Sequence, residues 1–369
     1  MVSRRYGHLF TPLTPRAGVT YDIAHLPGDG IGVEVTEATL PLVERVADDH
    51  GFSVEATTYG WGSEHYIEHG SMMPEGALDR LADHDAIFLG AVGHPDIPDH
   101  VTLRGMMLPI RKTFDQFVCE RPSVLFEGVE SPLRGYEGGD IDFVVYRENT
   151  EGEYADIGGR EHRGHEHELA VQSAVFTRHG TERIVRAAFE AATERDGKLT
   201  NVTKSNAQAY GMVLWDDIVE GVAEEYPAVT VERLLVDAAS MDLIRRPDEF
   251  DVVVASNLFG DILTDIGAIV SGSMGLAPSA NVTHDERYPS MYEPVHGSAP
   301  DIAGQGVANP LAAVLSAAMM LEDLGEPAAA DALHDAVAAQ LADPGAPRTP
   351  DLGGESGTEA VTADLRDRL

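Results

Sequence analysis

Basic residues are scarce in this chain of 369 residues. There are 26 Lys and Arg residues against 62 Asp and Glu residues, which gives a formal net charge of −36. Because the acids are spread along the chain, we interpret them as the surface of a folded protein and not as an acidic tail. Such a surface disfavours nucleic acids and anionic membranes as partners.

The same charge predicts a halophilic protein. Dissolved counterions screen the repulsion between neighbouring carboxylates. We therefore expect the melting temperature to rise from low salt to molar KCl. A melting temperature that stays constant over this range would contradict the hypothesis.

Cysteines and long apolar runs are also scarce. Cys119 is the only cysteine, so an intrachain disulfide is impossible and a secreted disulfide framework is not indicated. An Arg pair follows the first three residues, but Thr and Pro between residues 11 and 16 replace the apolar segment of an export signal. The apolar stretch 310–321 is too short to span a bilayer. We expect a cytoplasmic enzyme.

Strand-like apolar runs alternate with helical patterns, which predicts an α/β protein with a largely parallel sheet. Between about residues 122 and 180 the pattern changes, and a loop-rich stretch at 158–167 indicates an arm or a dimer element. No low-complexity linker divides the chain, so we expect two domains that exchange segments. Strands are predicted at 21–26, 53–58, 86–91, 143–146, 229–236 and 252–255, and helices at 33–47, 75–82, 178–195, 207–225, 311–324 and 328–341.

A glycine-rich turn, Gly28-Asp29-Gly30-Ile31-Gly32, follows the first predicted strand and precedes a helix. Backbone amides at such a turn can approach a phosphate. The dinucleotide fingerprint requires glycine where this chain has Val33. The turn is therefore either a phosphate loop or a purely structural feature.

Three acids are candidate metal ligands. Asp261 and Asp265 lie one turn apart on a predicted helix, and Asp237 follows a predicted strand. Carboxylates at this spacing share a face and can bind a hard cation, although acids also favour helix N-termini without binding a metal. Three carboxylates would form most of an octahedral Mg²⁺ or Mn²⁺ site.

Several cationic side chains and one tyrosine are candidates for binding and proton transfer. Guanidinium groups bind carboxylates in bidentate fashion, and the alternative is a surface ion pair with the abundant acids. A partly buried lysine can move protons. These candidates are Arg111, Arg121, Arg147, Lys204 and Tyr154.

Together these segments resemble the β-decarboxylating dehydrogenase family, which contains the 3-isopropylmalate, isocitrate, homoisocitrate and tartrate/D-malate dehydrogenases. The resemblance is carried by residues 26–32, 111–116, 121–122, 147–154, 203–206, 256–265, 293–304 and 351–359. It implies the two-domain α/β fold of isopropylmalate dehydrogenase, with a largely parallel central sheet, and not the common dinucleotide-binding fold.

The resemblance also implies a domain organisation and an oligomer. Residues 1–120 and 266–369 would form a first domain that carries most of the NAD site. Residues 121–265 would form a second domain with the dimer interface and an arm at about 153–177. A homodimer or higher homo-oligomer would share its active sites, because Lys204 and Asp237 would come from the partner subunit.

Roles follow from the resemblance residue by residue. Arg111, Arg121 and Arg147 would clamp a malate carboxylate. Asp237, Asp261 and Asp265 would hold Mg²⁺ or Mn²⁺, with K⁺ as a further cation. Lys204 would take the hydroxyl proton, and Tyr154 would protonate the enol. The NAD-binding residues would be His296, Gly297, Ser298, Ala299, Asp301 and Asn309.

Two segments bear on specificity. An acid at Asp301 would accept from the adenosine ribose and repel a 2′-phosphate, which favours NAD over NADP. In the segment 101–110, isocitrate enzymes carry Ser and Asn, which are absent here, and isopropylmalate enzymes carry Glu where this chain has Arg104. Other segments look most like the tartrate/D-malate group, which usually has Trp at that position. Arg104 would bind a polar or carboxylate-bearing substituent.

These observations predict NAD- and Mg²⁺- or Mn²⁺-dependent oxidative decarboxylation of a (2R)-malate-type 2-hydroxy dicarboxylic acid, with D-malate or tartrate as substrate. One alternative is 3-isopropylmalate dehydrogenase of leucine biosynthesis. A second alternative is a catalytically silent regulatory homologue.

Overall fold

A computed structural model describes residues 18–369. The interpretation of the N-terminal Arg pair concerns residues outside this range. Ten strands form one sheet in the order β2-β1-β3-β12-β11-β4-β5-β10-β8-β9, and β6 pairs with β7 alone. The strands are β1 Thr20–Gly28, β2 Ser53–Thr58, β3 Ala86–Ala91, β4 Val118–Val124, β5 Asp142–Glu148, β6 Gly152–Glu161, β7 Leu169–Val175, β8 Lys198–Thr203, β9 Thr230–Leu235, β10 Val252–Ala255, β11 Pro278–Val282 and β12 Ser290–Pro294.

Both flanks of the large sheet are parallel, and its middle is antiparallel where β11 pairs with β12 and β4 pairs with β11 and β5. The helices are α1 Ile31–His50, α2 Ser63–His69, α3 Ala77–Leu81, α4 Asp99–Thr102, α5 Leu108–Thr113, α6 Arg178–Glu194, α7 Gly211–Ala223, α8 Val236–Arg245, α9 Asn257–Val270, α10 Leu311–Asp323, α11 Pro327–Ala342 and α12 Thr358–Arg368. A π-helical turn, Leu103–Met107, joins α4 to α5. Short 3₁₀ turns lie at Pro247–Glu249, Met274–Leu276 and Pro350–Leu352.

The prediction of an α/β protein with a largely parallel sheet is confirmed. Strands β3 and β10 are buried along their whole length, as expected for strands covered by helices on both faces. Residues 311–321 of α10 are all buried, so the apolar stretch noted in the sequence is a core helix. Within residues 18–369 no helix is long and apolar enough to cross a membrane.

Some predicted bounds were wrong. The segment 158–167 is not entirely a loop, because β6 continues to Glu161 before the chain turns into β7. The strand predicted at 229–236 ends at Leu235, since Val236 begins α8. The pair β6–β7 forms a largely exposed hairpin, here called the arm. The division into two domains at residues 120 and 265 stays a prediction.

A buried carboxyl group, Glu120 on β4, lies near a partly buried one, Asp323 at the end of α10. Tyr292 donates its hydroxyl hydrogen to Asp323 Oδ2 at 2.7 Å. Burial raises the pKa of Asp323 to about 6. Burial also raises the pKa of Glu120, and the charge of Asp323 raises it further. Both groups therefore bind a proton more tightly in the folded protein than in the unfolded chain.

This pair predicts a pH dependence of stability. A carboxyl whose pKa is raised by folding stabilises the fold below its unfolded pKa, and this contribution is lost as the pH rises through about 6. We expect the melting temperature to fall from about pH 4 to about pH 7 and Asp323→Asn, which keeps an acceptor for Tyr292, to reduce the fall by a few degrees. Melts in molar KCl test this, with exposed Asp331→Asn as control. Equal slopes for both variants and the parent would contradict it.

Candidate active site

Three arginines lie buried on neighbouring elements. Arg121 is on β4, Arg147 is on β5, and Arg111 is in the last turn of α5. Their exposed fractions are 7%, 1% and 2%. Arg147 lies opposite Cys119, two residues from Arg121, so both arginines project from the same face of the sheet. The fold therefore brings together the three predicted clamp residues.

Each guanidinium group has a specific partner. Arg111 Nη2 donates to Glu293 Oε1 at 2.7 Å, and Arg121 Nη1 donates to Thr264 Oγ1 at 2.8 Å. Arg147 donates through Nη2 to Asn257 Oδ1 at 2.8 Å and through Nη1 to an oxygen of Asp261. The Nε–H groups of Arg111 and Arg121 are nevertheless buried without a hydrogen-bond partner among the described residues. Buried donors of this kind are costly unless an acceptor is bound, and a carboxylate is a suitable acceptor.

Tyr154 adjoins this arginine cluster. Its hydroxyl donates to Asp261 Oδ2 at 2.9 Å, and the Arg147 guanidinium lies 5.4 Å from its ring centroid. Burial raises the pKa of Tyr154, and the charge of Asp261 raises it further. Lys112 Nζ donates to the Tyr154 carbonyl at 3.0 Å and so fixes the backbone there. The phenol therefore remains protonated, as a proton donor requires.

Asp261 and Asp265 have different surroundings on α9. Burial would raise the pKa of Asp261, but the charges of Arg147 and Arg121 outweigh burial and lower it. Burial raises the pKa of Asp265, and the charge of Asp261 adds to this effect. Within residues 18–369, Asp265 has no hydrogen-bond or ion-pair partner. Two carboxylates one turn apart, one of them without a partner, are a donor set that fits a hard divalent cation.

Lys204 and Asp237 lie apart from this group. They form an ion pair with each other, Lys204 after β8 and Asp237 in the first turn of α8. Across residues 18–369 of one chain, no three His, Cys, Asp or Glu side chains are placed to hold a metal together. One chain therefore brings together Arg111, Arg121, Arg147, Tyr154, Asp261 and Asp265, but not Lys204 or Asp237.

Arg104 occupies a third position. It lies in the π-helical turn before α5 and is ion-paired with Asp156 on β6. Its side chain is 42% exposed, in contrast to the buried arginines of the cluster. The structure thus places Arg104 beside the arm rather than among the three clamp arginines.

The predicted nucleotide segment follows β12 and approaches the glycine-rich turn. Ile31 N donates to the Ser298 carbonyl at 2.8 Å, and a Cβ at Gly30 would lie 2.0 Å from that oxygen. Gly30 also has a φ of 56°, a left-handed conformation that favours glycine. These glycines therefore serve a close packing contact, and the Ile31 amide is already used. Of the two alternatives from the sequence, a phosphate loop or a purely structural turn, these contacts favour the structural turn.

The six predicted nucleotide-binding residues lie along one segment, 296–309. His296 Nε2 is buried without a hydrogen-bond partner among residues 18–369, and burial lowers the pKa of His296, so the ring is neutral. Asn309 Nδ2 donates to Asp351 Oδ2 at 2.9 Å. Asp301 is exposed and Ser298 is buried. The unpartnered imidazole nitrogen and the free acid fit a bound nucleotide.

Sequence reasoning missed the partners of the arginines. Asn257 and Thr264 lie on the Asp261 face of α9, at spacings of four and three residues, and that spacing was a usable signal. Glu293 accepts from both Arg111 and Asn281 Nδ2, but these residues are far apart in the chain. No local pattern pointed to Glu293.

Comparison with known proteins identifies the family. Residues 22–369 match the family described as isocitrate/isopropylmalate dehydrogenase. The chain belongs to this family. A probable tartrate dehydrogenase/decarboxylase of Agrobacterium vitis is 49% identical to this dehydrogenase over 344 residues, covering 93% of this chain and 96% of the relative. The D-malate dehydrogenase [decarboxylating] of Escherichia coli (strain K12) is 47% identical over 348 residues, covering 93% and 96%.

Solved structures agree with this assignment. The crystal structure of isocitrate dehydrogenase from Methylococcus capsulatus superposes with a TM-score of 0.85 at 35% identity, covering 94% of this chain and 99% of that one. The predicted fold and the resemblance to the tartrate/D-malate group are both confirmed. The prediction that the chain is a decarboxylating dehydrogenase acting on a CH–OH group is confirmed at the level of the family.

Proposed function

We propose that this dehydrogenase catalyses the NAD- and Mg²⁺- or Mn²⁺-dependent oxidative decarboxylation of a (2R)-malate-type 2-hydroxy dicarboxylic acid, D-malate or tartrate. The observation that carries the proposal is the buried arginine cluster, with two unpartnered N–H groups beside Tyr154 and Asp261. Relatives named for tartrate and D-malate at 49% and 47% identity support the choice of substrate.

The arginine cluster binds the substrate carboxylate next to the carbinol carbon. Its guanidinium groups donate hydrogen bonds to Glu293, Thr264 and Asn257, so their orientation is set before the substrate binds. The cluster also creates local positive charge in a chain of net charge −36, which otherwise repels a dicarboxylate.

Asp261, Asp265 and Asp237 of the partner subunit would hold the Mg²⁺ or Mn²⁺, with K⁺ as a further cation. When bound, the divalent ion would supply Lewis-acid stabilisation of the negative charge that develops on loss of carbon dioxide, and NAD would supply the hydride acceptor. His296, Gly297, Ser298, Ala299, Asp301 and Asn309 would bind the nucleotide.

Two side chains move protons. As a neutral amine, Nζ of Lys204 of the partner subunit would accept the hydroxyl proton of the substrate, and the Tyr154 hydroxyl would donate a proton to the carbon that loses its carboxylate. The raised pKa of Tyr154, caused by burial and then by the charge of Asp261, suits a donor. Lys204 and Asp237 are ion-paired within one chain, so a dimer contact would bring both of them to the second chain's site.

A homodimer completes the site. Helices α8 and α9 pack against each other and leave apolar side chains uncovered: Met241, Ile244, Ile262 and Ile269 are 54%, 51%, 49% and 51% exposed. A second copy of the chain would cover this apolar face. Asp237 lies on α8 and Asp261 on α9, so the same contact brings the two halves of the site together.

A substrate screen tests the proposal. NADH formation is followed at high KCl with Mg²⁺ or Mn²⁺ against D-malate, tartrate, 3-isopropylmalate and isocitrate. We expect the highest kcat/KM for D-malate or tartrate. A preference for 3-isopropylmalate would establish the leucine-pathway alternative, and no NADH from any of these acids would favour the catalytically silent homologue.

Asp301→Ala is expected to narrow the preference for NAD over NADP. Asp301 is exposed on the nucleotide segment, and its carboxylate would repel a 2′-phosphate and accept from ribose hydroxyls. We expect the ratio of kcat/KM for NAD to that for NADP to fall by about tenfold or more. Exposed Glu286→Ala removes an acid outside this segment and serves as the control. An unchanged ratio in Asp301→Ala would assign cofactor selection to another residue.

A further inference from the structure

An ion pair joins the helical stretch 99–113 to the arm. Arg104 Nη1 contacts Asp156 Oδ1, and Asp156 lies on β6 only two residues after Tyr154. Nearby, Lys112 Nζ donates to the Tyr154 carbonyl at 3.0 Å. Arg104 is close enough to lower the pKa of Lys112, whose largest shift comes from burial. Arg104 is therefore held at the edge of the active site by the strand that carries Tyr154.

The backbone at Asp156 departs from regular β structure. Its φ is 62°, in the left-handed region that most residues other than glycine avoid. The pairing register of β6 with β7 shifts between Gly152 and Ile157, which includes this position. Such irregularities bend a strand and redirect a side chain. Here the redirected side chain is the carboxylate that meets Arg104.

The surroundings concentrate positive charge. A cleft of about 540 Å³ lies between the helical stretch and the arm, and its lining includes Arg104, Arg160 and Arg163. Arg160 is ion-paired with Glu168 of the arm, and Arg104 with Asp156. In a chain with a net charge of −36, this is a local reversal of sign. Release of Arg104 from Asp156, which also lines this cleft, would therefore strengthen the attraction of a further anionic group to this edge of the site.

The Arg104–Asp156 pair is strong enough to bias binding and weak enough to be displaced. The two side chains are 42% and 49% exposed, so water screens their attraction. Pairs of this kind change an equilibrium by up to about fivefold. A substrate carboxylate that reached Arg104 would have to displace Asp156, whereas a hydrogen or hydroxyl substituent would not.

We propose that Asp156 is a specificity-determining residue: by occupying Arg104 it withholds that cation from substrates with a third carboxylate. The inference rests on the proposed function, because it refines which malate-type acid the site accepts. It assigns Asp156 the role of a positioning residue that acts through Arg104 and does not touch the reacting atoms. Malate-type acids with an uncharged substituent are favoured as a result.

The test compares Asp156→Asn with Glu168→Gln. Both changes remove one negative charge from the arm, but Glu168 partners Arg160 instead of Arg104. For each variant, kcat/KM is measured with D-malate and with isocitrate, and where isocitrate turns over too slowly its inhibition constant against D-malate is measured. We expect Asp156→Asn to raise the ratio of kcat/KM for isocitrate to kcat/KM for D-malate by about fivefold, mainly through tighter binding of isocitrate. The kcat for D-malate should stay within about twofold of the parent. Glu168→Gln should leave this ratio unchanged.

The double variant Arg104→Leu/Asp156→Asn separates the role of Arg104 from a general charge effect. It should show the same ratio of kcat/KM for isocitrate to kcat/KM for D-malate as Arg104→Leu alone. The reason is that neither variant has the guanidinium group that Asp156→Asn would free. Equal shifts in Asp156→Asn and Glu168→Gln, or equal losses on all substrates in Asp156→Asn, would overturn the inference while leaving the proposed function intact. Absence of NADH formation by the parent protein from every 2-hydroxy acid would instead overturn the proposed function.

Discussion

Asp261→Asn is expected to lower kcat by at least about a hundredfold. Asp261 contacts three other residues of the site. It accepts a hydrogen bond from Tyr154 and forms ion pairs with Arg147 and Arg121. The amide keeps the size of the side chain but removes the negative charge that a divalent cation and two guanidinium groups require. The expected loss is therefore one of metal affinity and transition-state stabilisation together.

The measurement combines steady-state kinetics with calorimetric titration of Mn²⁺. The substitution removes part of the charge compensation of two buried arginines, which destabilises the fold. Thermal melts therefore show whether the variant is folded. Asp217→Asn, an exposed acid on α7, carries the same chemical change and should match the parent. Activity of Asp261→Asn within about tenfold of the parent, with unchanged Mn²⁺ affinity, would contradict the metal assignment.

Lys204→Ala and Tyr154→Phe should each lower kcat by about a hundredfold to ten-thousandfold, because each removes a proton-transfer group. Co-expression of the two variants, with a different tag on each, gives a mixed dimer of one Lys204→Ala chain and one Tyr154→Phe chain. If Lys204 acts in the site of the other chain, one of the two sites in that dimer has both native residues. We expect about half of the parent's activity.

A second mixed dimer distinguishes shared sites from independent ones. It pairs a parent chain with a chain that carries both Lys204→Ala and Tyr154→Phe. Shared sites leave this dimer inactive, because each site then lacks one group. Half activity in this dimer and none in the first would place Lys204 and Tyr154 of the same chain in one site, contrary to the proposal.

Parts of the fold were accessible from periodicity. Strand β3 and helix α10 have continuous apolar patterns, and their type was predicted correctly. The stretch from α4 through the π-helical turn to α5 was not predicted, because it is short and contains Gly105 and Pro109. Its conformation depends on packing, since a Cβ at Gly105 would lie 2.4 Å from the Met72 side chain.

The site was predictable where its residues stand at strand ends or share a helix face. Asp261 and Asp265 are one turn apart, and Arg147 lies on β5. Glu293 was missed because its contact with Arg111 joins residues distant in the chain. The Arg104–Asp156 pair was missed because it depends on an unusual backbone angle that no composition pattern reveals. Lys204 and Asp237 are joined to the arginine cluster only through the proposed dimer.

Product analysis with D-malate is the most direct test of oxidative decarboxylation by this protein. The purified protein is incubated with D-malate, NAD and Mn²⁺ in molar KCl, and NADH, carbon dioxide and the keto acid are measured in the same samples. We expect NADH, carbon dioxide and pyruvate in equal amounts, with product formation abolished by a chelator. Oxaloacetate that accumulates without carbon dioxide, or no NADH at all, would contradict it.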